Sequence, residues 1–337
     1  TGRPKAIFFS QTDIATAAEL MARCLTMAGL GPGDALQNMM TYGLFTGALM
    51  VHYGAEKIGA LVIPAGPGNS DRQLMLMRDF RSTAVHMTPS YALYFGELLA
   101  RKGVNPRSDL ALKTAIVGAE SYTPATRDKI QASLGVTVFN NYGLSEMNGP
   151  GVAFECPHQS GLHLWEDAFA AEIIDPATGQ NLPDGESGEL VLTTLRREAM
   201  PLLRYRTRDI TRILPEPCPC GRTHRKIAGI TGRSDDMLVV RGVNIYPQQI
   251  ESLLMAEPSL GGNYLITLSG ADEMLVQVEL AANGFDGRVE HLVRLQQKLV
   301  SQIRSETLVK PAVELLQPGS LPTSEGKARR VVDNRTL

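Results

Sequence analysis

The chain has 337 residues, which at roughly 150 residues per domain predicts about two domains, and 43% hydrophobic content is enough for a large core. Lys and Arg total 33 against 35 Asp and Glu, a net charge of -2, which excludes a global pull toward nucleic acid or an anionic membrane. No apolar run is long enough to span a bilayer and no secretory signal pattern is read, so a reducing, cytoplasmic setting is expected, with the four cysteines as thiols or metal ligands.

Ile14, Ala17, Leu20, Met21, Leu25 and Ala28 recur at helical spacing and predict an amphipathic helix over 13–28, capped by Thr12 or Asp13 and ended by Gly29. Buried strands are predicted at 60–63, 84–87, 114–117 and 136–139, with helices at 70–79 and 124–134 between them. This alternation predicts an α/β layer on a mostly parallel sheet. Beyond Gly151, strands at 170–174, 188–193 and 210–214 are joined by Asp-Pro, Pro-Asp-Gly and Pro-Glu-Pro turns, which reads as a β-rich subdomain. From Gly232 onward an α+β unit follows: a strand at 237–240, a helix at 247–256 with Pro247 in its first turn, and strands at 264–268 and 274–280. A long helix over 286–305 carries Val289, Leu292, Val293, Leu299, Val300 and Ile303 on one side, before a last strand at 312–316.

The sequence contains no Gly-x-Ser-x-Gly, His-Glu-x-x-His, full phosphate loop or Gly-x-Gly-x-x-Gly, so the usual hydrolases and nicotinamide enzymes lose ground. Instead, five polar clusters fall at predicted loops. Thr1-Gly2-Arg3-Pro4-Lys5 precedes an apolar stretch, and alone it reads more readily as a surface turn than as a phosphate cradle. Asn140 to Glu146 follow a strand where an open α/β sheet presents ligands, and a carboxylate there suits Mg2+ beside phosphate oxygens. Tyr205-Arg206-Thr207-Arg208-Asp209 places an Asp at a strand start, able to accept from two vicinal ribose hydroxyls, although such a run is also an ordinary salt-bridged surface. Gly232-Arg233-Ser234-Asp235-Asp236 reads as a linker able to swivel, and residues 321–327 as a loop ending in Lys327.

In this order and at these separations the clusters resemble the phenylacetate-CoA ligase family, within the adenylate-forming acyl-CoA synthetase superfamily; Arg241-Gly242-Val243-Asn244-Ile245-Tyr246-Pro247 and Gly326-Lys327 recur as blocks with them. The resemblance covers essentially the whole chain. It implies an ATP- and acid-binding domain over 1–231, with the β-rich part at about 151–231, a hinge at 232–236 and a mobile C-terminal domain over 237–337. Thr1 to Lys5 match the second half of the family's phosphate loop, so roughly a hundred residues are expected ahead of Thr1. The resemblance also implies the roles. Thr1, Gly2 and Lys5 would meet phosphates, Gly118, Ala119, Glu120, Asn141, Tyr142, Gly143 and Ser145 would frame the nucleotide, and Asp209 and Arg233 would take the ribose. Glu146 would hold Mg2+, Lys327 would be the mobile catalytic lysine and Asp235 the pivot, while Arg241, Gly242 and Asn244 would face CoA. Residues 38–45, with Met40, Tyr42 and Phe45, would line the acid pocket. Met39 and Met40 stand where such ligases often place an aromatic residue, which loosens the expectation from phenylacetate to an aryl-type acid.

The expected activity is therefore an ATP- and Mg2+-dependent joining of an aryl or arylacetic acid to CoA through an acyl-adenylate, by a homodimer. Two rivals stay open: loading of another acid onto a carrier-protein thiol, and a catalytically silent binding module. Cys218-Pro-Cys220-Gly221 adds a possible structural zinc site with Cys156 and one histidine, His163 favoured over His158 and His224. Cys24 reads as a buried small residue, and His52, His86 and His291 as packing or solvent-facing.

Overall fold

The computed structural model describes residues 5–43, 45–241, 243–270, 273–282, 284–285, 287–322 and 328–335. The first half of the chain runs α1 (Gln11–Met27), β1 (Ala35–Asn38), α2 (Thr46–Lys57), β2 (Leu61–Ile63), α3 (Ser70–Asp79), β3 (Ala84–Met87), α4 (Pro89–Arg101), α5 (Pro106–Asp109), β4 (Thr114–Gly118), α6 (Pro124–Leu134) and β5 (Thr137–Leu144). A 3-10 turn at Ser145–Met147 leads to β6 (Gly149–Glu155), β7 (Leu162–Leu164), β8 (Phe169–Ile174), β9 (Gly188–Thr194), β10 (Tyr205–Thr211), β11 (Ile213–Leu214) and β12 (Lys226–Ile227). The remainder is β13 (Gly232–Arg233), β14 (Leu238–Val240), β15 (Val243–Ile245), α7 (Pro247–Ala256), β16 (Leu260–Ser269), β17 (Glu273–Leu280), α8 (Val289–Thr307), β18 (Ala312–Leu316) and β19 (Val331–Asp333). None of the described helices is long and apolar enough to cross a membrane.

Contacts divide the chain into two units, of which the first comprises Thr1–Thr88, Asn105–Ala119 and Gly135–Ile230. Its nine-stranded sheet has the order β11-β12-β7-β6-β5-β4-β3-β1-β2. From β2 to β5 neighbouring strands are parallel, and from β5 to β11 they are antiparallel. Strands β8, β9 and β10 form a separate antiparallel ladder. Phe139 and Phe154 stack across the β5–β6 pair with centroids 6.2 Å apart. Leu20, Met21 and Leu25 of α1 are fully buried against the same core.

Several boundaries differ from the periodicity. Helix α1 begins earlier than expected because Ser10, not Thr12 or Asp13, is the cap: its hydroxyl accepts from Asp13 N at 3.0 Å while the Asp13 carboxylate accepts from Ser10 N at 3.0 Å. The strand expected at 136–139 continues to Leu144, so Asn140 to Leu144 belong to β5 rather than to a loop. The strand expected at 210–214 is instead the end of β10 followed by the separate β11.

The second unit comprises Pro89–Val104, Glu120–Leu134 and Thr231–Leu337. It contains the sheet β18-β17-β16-β19 and the hairpin β14-β15. Helices α4 and α6 group with it, so a division by contacts is not a simple cut at 232–236. The reason is polar as well as apolar. Glu251 of α7 accepts from Thr126 Oγ1 at 2.9 Å and Tyr264 OH at 2.8 Å, and Lys129 of α6 donates to the Glu257 and Leu260 carbonyls at 3.2 and 2.8 Å. Helix α8 starts later than expected and buries Leu299, Ile303 and Thr307, while Val289 and Val293 are exposed. Only the C-terminal half of its apolar stripe is covered, among the described residues.

The contact of α1 with α2 depends on Gly54, where a Cβ would lie 2.7 Å from Met21 Cβ and 3.0 Å from Ala22 N. Gly54→Val is expected to lower unfolding stability by about 1–3 kcal/mol through overpacking, read by denaturant titration. Gly47→Ala, at a helical glycine with nothing within 4 Å of its added Cβ, serves as the tolerated comparison.

Candidate functional site

In the first unit, the carboxyl ends of β4 and β5 bring Gly118 opposite Asn141. A Cβ on Gly118 would collide with the Asn141 side chain, and one on Gly143 would collide with the Gly149 carbonyl, so both glycines serve close backbone approach. Ala119 leaves β4 with φ +69°. Asn141 Oδ1 is buried and has no hydrogen-bond partner among the described residues. Such strand ends are where open α/β sheets hold ligands.

Glu146 sits in the 3-10 turn directly beyond β5. Its Oε1 accepts from Lys5 Nζ at 3.3 Å and Tyr205 OH at 3.1 Å. Burial would push the Glu146 carboxyl up, but its own backbone N–H, Lys5 and Tyr205 outweigh burial and hold it below the usual carboxylate range. Glu146 is thus ionised near neutrality. The adjacent Ser145 hydroxyl meets Thr46 Oγ1 at 3.0 Å.

The run of residues 205–209 divides its labour across a bulge. Pairing of β10 with β9 shifts register between Arg206 and Ile210, and Arg208 takes φ +69°. On one side, Tyr205 reaches Glu146 and Asp209 accepts from Tyr142 OH at 2.6 Å. On the other, Arg206 makes two bonds to the fully buried Glu189 carboxylate at 3.0 and 2.6 Å. The salt-bridge reading of this run is realised by Arg206, while Tyr205 and Asp209 turn to Glu146 and Tyr142.

Sequence reasoning missed the group that fixes the Glu146 turn. Buried Arg197 donates to the Glu146 carbonyl at 3.2 Å, to Asn148 Oδ1 at 2.5 Å and to the Phe8 carbonyl at 2.9 Å, and its guanidinium lies 4.5 Å from the Phe9 ring centroid. Asp13 holds the same segment, accepting from Glu198 N and Ala199 N at 2.8 and 3.0 Å. Nothing in local periodicity signals an Arg and an Asp so far apart in the chain.

Around the expected acid pocket, Tyr42 OH accepts from Asn38 Nδ2 at 2.9 Å and meets His52 Nδ1 at 3.2 Å. Asn38 Oδ1 in turn meets His86 Nδ1 at 3.0 Å. His86 and His52 therefore do more than pack: they anchor the Tyr42 hydroxyl. Burial pushes the Tyr42 phenol up to about 12, so it stays neutral. Met40 is half-buried, Met39 buried and Phe45 exposed. A cavity of about 770 Å3 opens at the opposite, amino ends of β1 to β4, beside Asp34, Arg81 and Lys113, and includes none of the expected site residues.

In the second unit, Glu120 accepts from Ser90 N and Oγ at 3.1 and 3.0 Å and from Ala328 N at 2.7 Å. It thus ties the start of α4 to the residue after Lys327. Arg233 and Asp235 form a two-bond ion pair at 2.8 and 2.9 Å. Arg241, at φ +52°, turns the β14–β15 hairpin, and Asn244 pairs with Val239 through the backbone. Thr1, Gly2, Gly242 and Lys327 lie outside the described residues.

The cysteine expectation meets a compact cluster in the first unit. One ligand atom from each of Cys156, His163, Cys218 and Cys220 lies within 4.8 Å of every other. His158 and His224 are not members of the cluster. Cys24 is buried elsewhere, accepts from Trp165 Nε1 at 3.4 Å, and has its thiol pushed up to about 12 by burial.

Comparison with known proteins gives the family. The model described as "AMP-binding enzyme" matches residues 1–195, and "AMP-binding enzyme C-terminal domain" matches residues 242–335. Phenylacetate-coenzyme A ligase of Thermus thermophilus is 44% identical over 352 residues, covering 99% of this chain and 79% of that protein. The chain belongs to the phenylacetate-CoA ligase family. The phenylacetate-coenzyme A ligase of Escherichia coli is 42% identical, with 100% of this chain and 77% of that protein covered. Among solved structures, a 2-hydroxyisobutyryl-CoA ligase in the postadenylation state aligns with a TM-score of 0.93 at 30% identity, covering 99% of this chain and 73% of that one. This family member has the α/β fold expected of it, with a smaller C-terminal α+β part.

Burial pushes the His86 imidazole down to about 4 from an ordinary 6.5. The unfolded chain therefore takes a proton between these values that the folded chain refuses, so stability falls as pH drops through this window. Thermal unfolding of His86→Gln is expected to show a shallower loss from pH 6.5 to 4 than the parent chain. An equal slope in both proteins would contradict the assignment.

Proposed function

We propose that the chain is an AMP-forming acid–CoA ligase whose Glu146–Lys5–Tyr205 cluster receives the phosphates of ATP. The observation that carries this reading is an ionised carboxylate beside an ammonium at the end of a parallel strand, with Asp209 and Tyr142 joined nearby on the same unit. In the first step a carboxylate oxygen of the acid attacks the α-phosphorus, the bond to the β-phosphate breaks, and pyrophosphate leaves with the electron pair. In the second, the CoA sulfur attacks the acyl carbon, the bond to the AMP oxygen breaks, and the thiol proton passes to solvent.

Each residue has a chemical task in this scheme. Asn141 Oδ1, buried without a partner among the described residues, suits the amino group of adenine, beside the bare backbone of Gly118 and Ala119. The Asp209 carboxylate, aimed by the β10 bulge and held by Tyr142, suits two ribose hydroxyls, with Arg233 as their second partner. Lys5, exposed and cationic, together with Thr1, Gly2, Gly143 and Ser145, would meet phosphate oxygens. Glu146 would hold Mg2+, because its carboxylate is ionised and that ion favours one or two carboxylates plus phosphate and water. When bound, Mg2+ would neutralise phosphate charge there.

Lys327 would stabilise charge on the α-phosphate during the first step, and Asp235 would be the pivot that later brings Arg241, Gly242 and Asn244 to CoA. Glu120, which accepts from Ala328 N, would frame the nucleotide. Met40, Tyr42 and Phe45 would surround an aryl or arylacetic acid, phenylacetate first, since relatives 42–44% identical carry that name. A cytoplasmic homodimer completes the reading, from the family and the free thiols.

Acid-dependent release of pyrophosphate and AMP tests it, with a panel of aryl and aliphatic acids and free CoA. Glu146→Gln is expected to lower the rate about 100- to 1000-fold, as loss of one charge-stabilising group in such sites does. Lys327→Ala is expected to abolish adenylate formation while leaving thioester formation from supplied acyl-adenylate; equal loss of both steps would contradict the division of roles. Thioester formed only on a carrier-protein thiol would replace CoA as the acceptor.

A further inference from the structure

The cluster of Cys156, His163, Cys218 and Cys220 plays no part in the proposed reaction, and its geometry is that of a closed metal centre. Cys156 Sγ lies 3.5 Å from Cys218 Sγ, and Cys220 Sγ lies 3.4 Å from His163 Nε2. A tetrahedral Zn2+ with Zn–S of about 2.3 Å and Zn–N of about 2.0–2.1 Å has S···S edges of about 3.8 Å and S···N edges of about 3.6 Å. The two edges, 3.5 and 3.4 Å, fall within a few tenths of an ångström of those values. A disulfide requires an S–S distance of about 2.05 Å, and all four cysteines are free.

The backbone is shaped for this set. Cys156 directly follows β6, His163 lies within β7, and Cys218 and Cys220 sit in the loop between β11 and β12. Gly221, at φ +78°, returns its N–H to the Cys218 carbonyl at 3.1 Å, folding Cys218-Pro-Cys220-Gly221 into a tight knuckle. The Cys156 arm closes in the same way, with Gln159 N bonded to the Cys156 carbonyl at 2.9 Å. Charge is matched as well. Three thiolates and one neutral imidazole around a divalent ion leave a single net negative charge, and the buried ammonium of Lys226 lies alongside. It donates to the Ser160 carbonyl at 3.1 Å and hydroxyl at 3.4 Å, and that hydroxyl lies 3.8 Å from Cys218 Sγ.

We propose that these four residues bind one structural Zn2+, which clamps the antiparallel edge of the nine-stranded sheet, β6, β7 and β12, into one piece. Four protein ligands leave no open coordination position, so the ion braces and does not catalyse. The brace acts on β6, whose other end begins just past the Glu146 turn.

The test is metal analysis of the full chain expressed without added chelator. About one zinc per chain is expected, with X-ray absorption giving three sulfur neighbours and one nitrogen. Cys218→Ser and His163→Ala are expected to cut zinc to below about one fifth of the parent value, whereas Cys24→Ala, outside the cluster, retains it. Should the variants fail to fold, the parent chain refolded with Co2+ is expected to show the visible absorption of a tetrahedral thiolate site. A strong chelator is expected to lower the unfolding midpoint by more than about 5 °C, restored by Zn2+. Absence of zinc together with no cobalt spectrum, zinc retained in folded Cys218→Ser, or a Cys156–Cys218 disulfide in the purified protein would overturn the proposal. These readouts do not depend on turnover of ATP, so failure of the ligase reading would leave them standing.

Discussion

The site of this protein hangs on the reversal at residues 145–148, where a parallel sheet becomes antiparallel. Strand β5 arrives parallel to β4 and is answered by β6 running the opposite way, so the backbone must turn sharply between them. Gly143 permits the crossing because a side chain there would strike the Gly149 carbonyl, and Asn148 turns the chain at φ +69°. Glu146 rides on this turn. Its direction is then fixed by Arg197, which binds the turn's backbone and the Phe8 carbonyl together. A hydrogen-bonded guanidinium in a buried position leaves the turn little freedom, because releasing it would strand a charge.

Carboxylates in the first unit divide into two kinds by what surrounds them. Asp13 and Glu189 are buried and saturated: the first by three backbone N–H groups, the second by arginines. Burial would raise both, and in both the partners win, so they remain charged and serve architecture. Glu146 and Asp209 are also held ready by neighbours, but each keeps an approach from solvent, which is what a cation or a sugar hydroxyl requires. Alternation along β10 sets Tyr205 and Asp209 against Arg206 and Arg208, and the two arginines reach Glu189.

Much of the scaffold was legible because its signals are local. Helices at 70–79, 124–134 and 247–256 have the bounds their periodicity and caps indicate, as does the strand at 84–87. The cysteine grouping was legible as well, because a Cys-x-Cys turn restricts which partners can close a tetrahedron. Expectations failed where long-range packing decides. The stripe along α8 is regular, yet Val289 and Val293 stay exposed since nothing described covers that half. The bonds of Thr126 and Lys129 of α6 to Glu251, Glu257 and Leu260 are likewise made by polar residues that carry no periodic signal.

The sequence by itself determined the order of elements and the family, since clusters such as 142–146 and 205–209 carry chemistry in a fixed linear order. It also determined the chemical types available at the site: two carboxylates, an ammonium and two phenols. Only tertiary structure decided which of these meet. Glu146 finds Lys5 and Tyr205, Tyr142 finds Asp209, and Arg197 finds Phe8, through separations along the chain that no local pattern encodes. The physical reason is that helix and strand propensity act over a few residues, while an ion pair or a buried hydrogen bond is chosen by what the whole sheet brings within 3 Å or so.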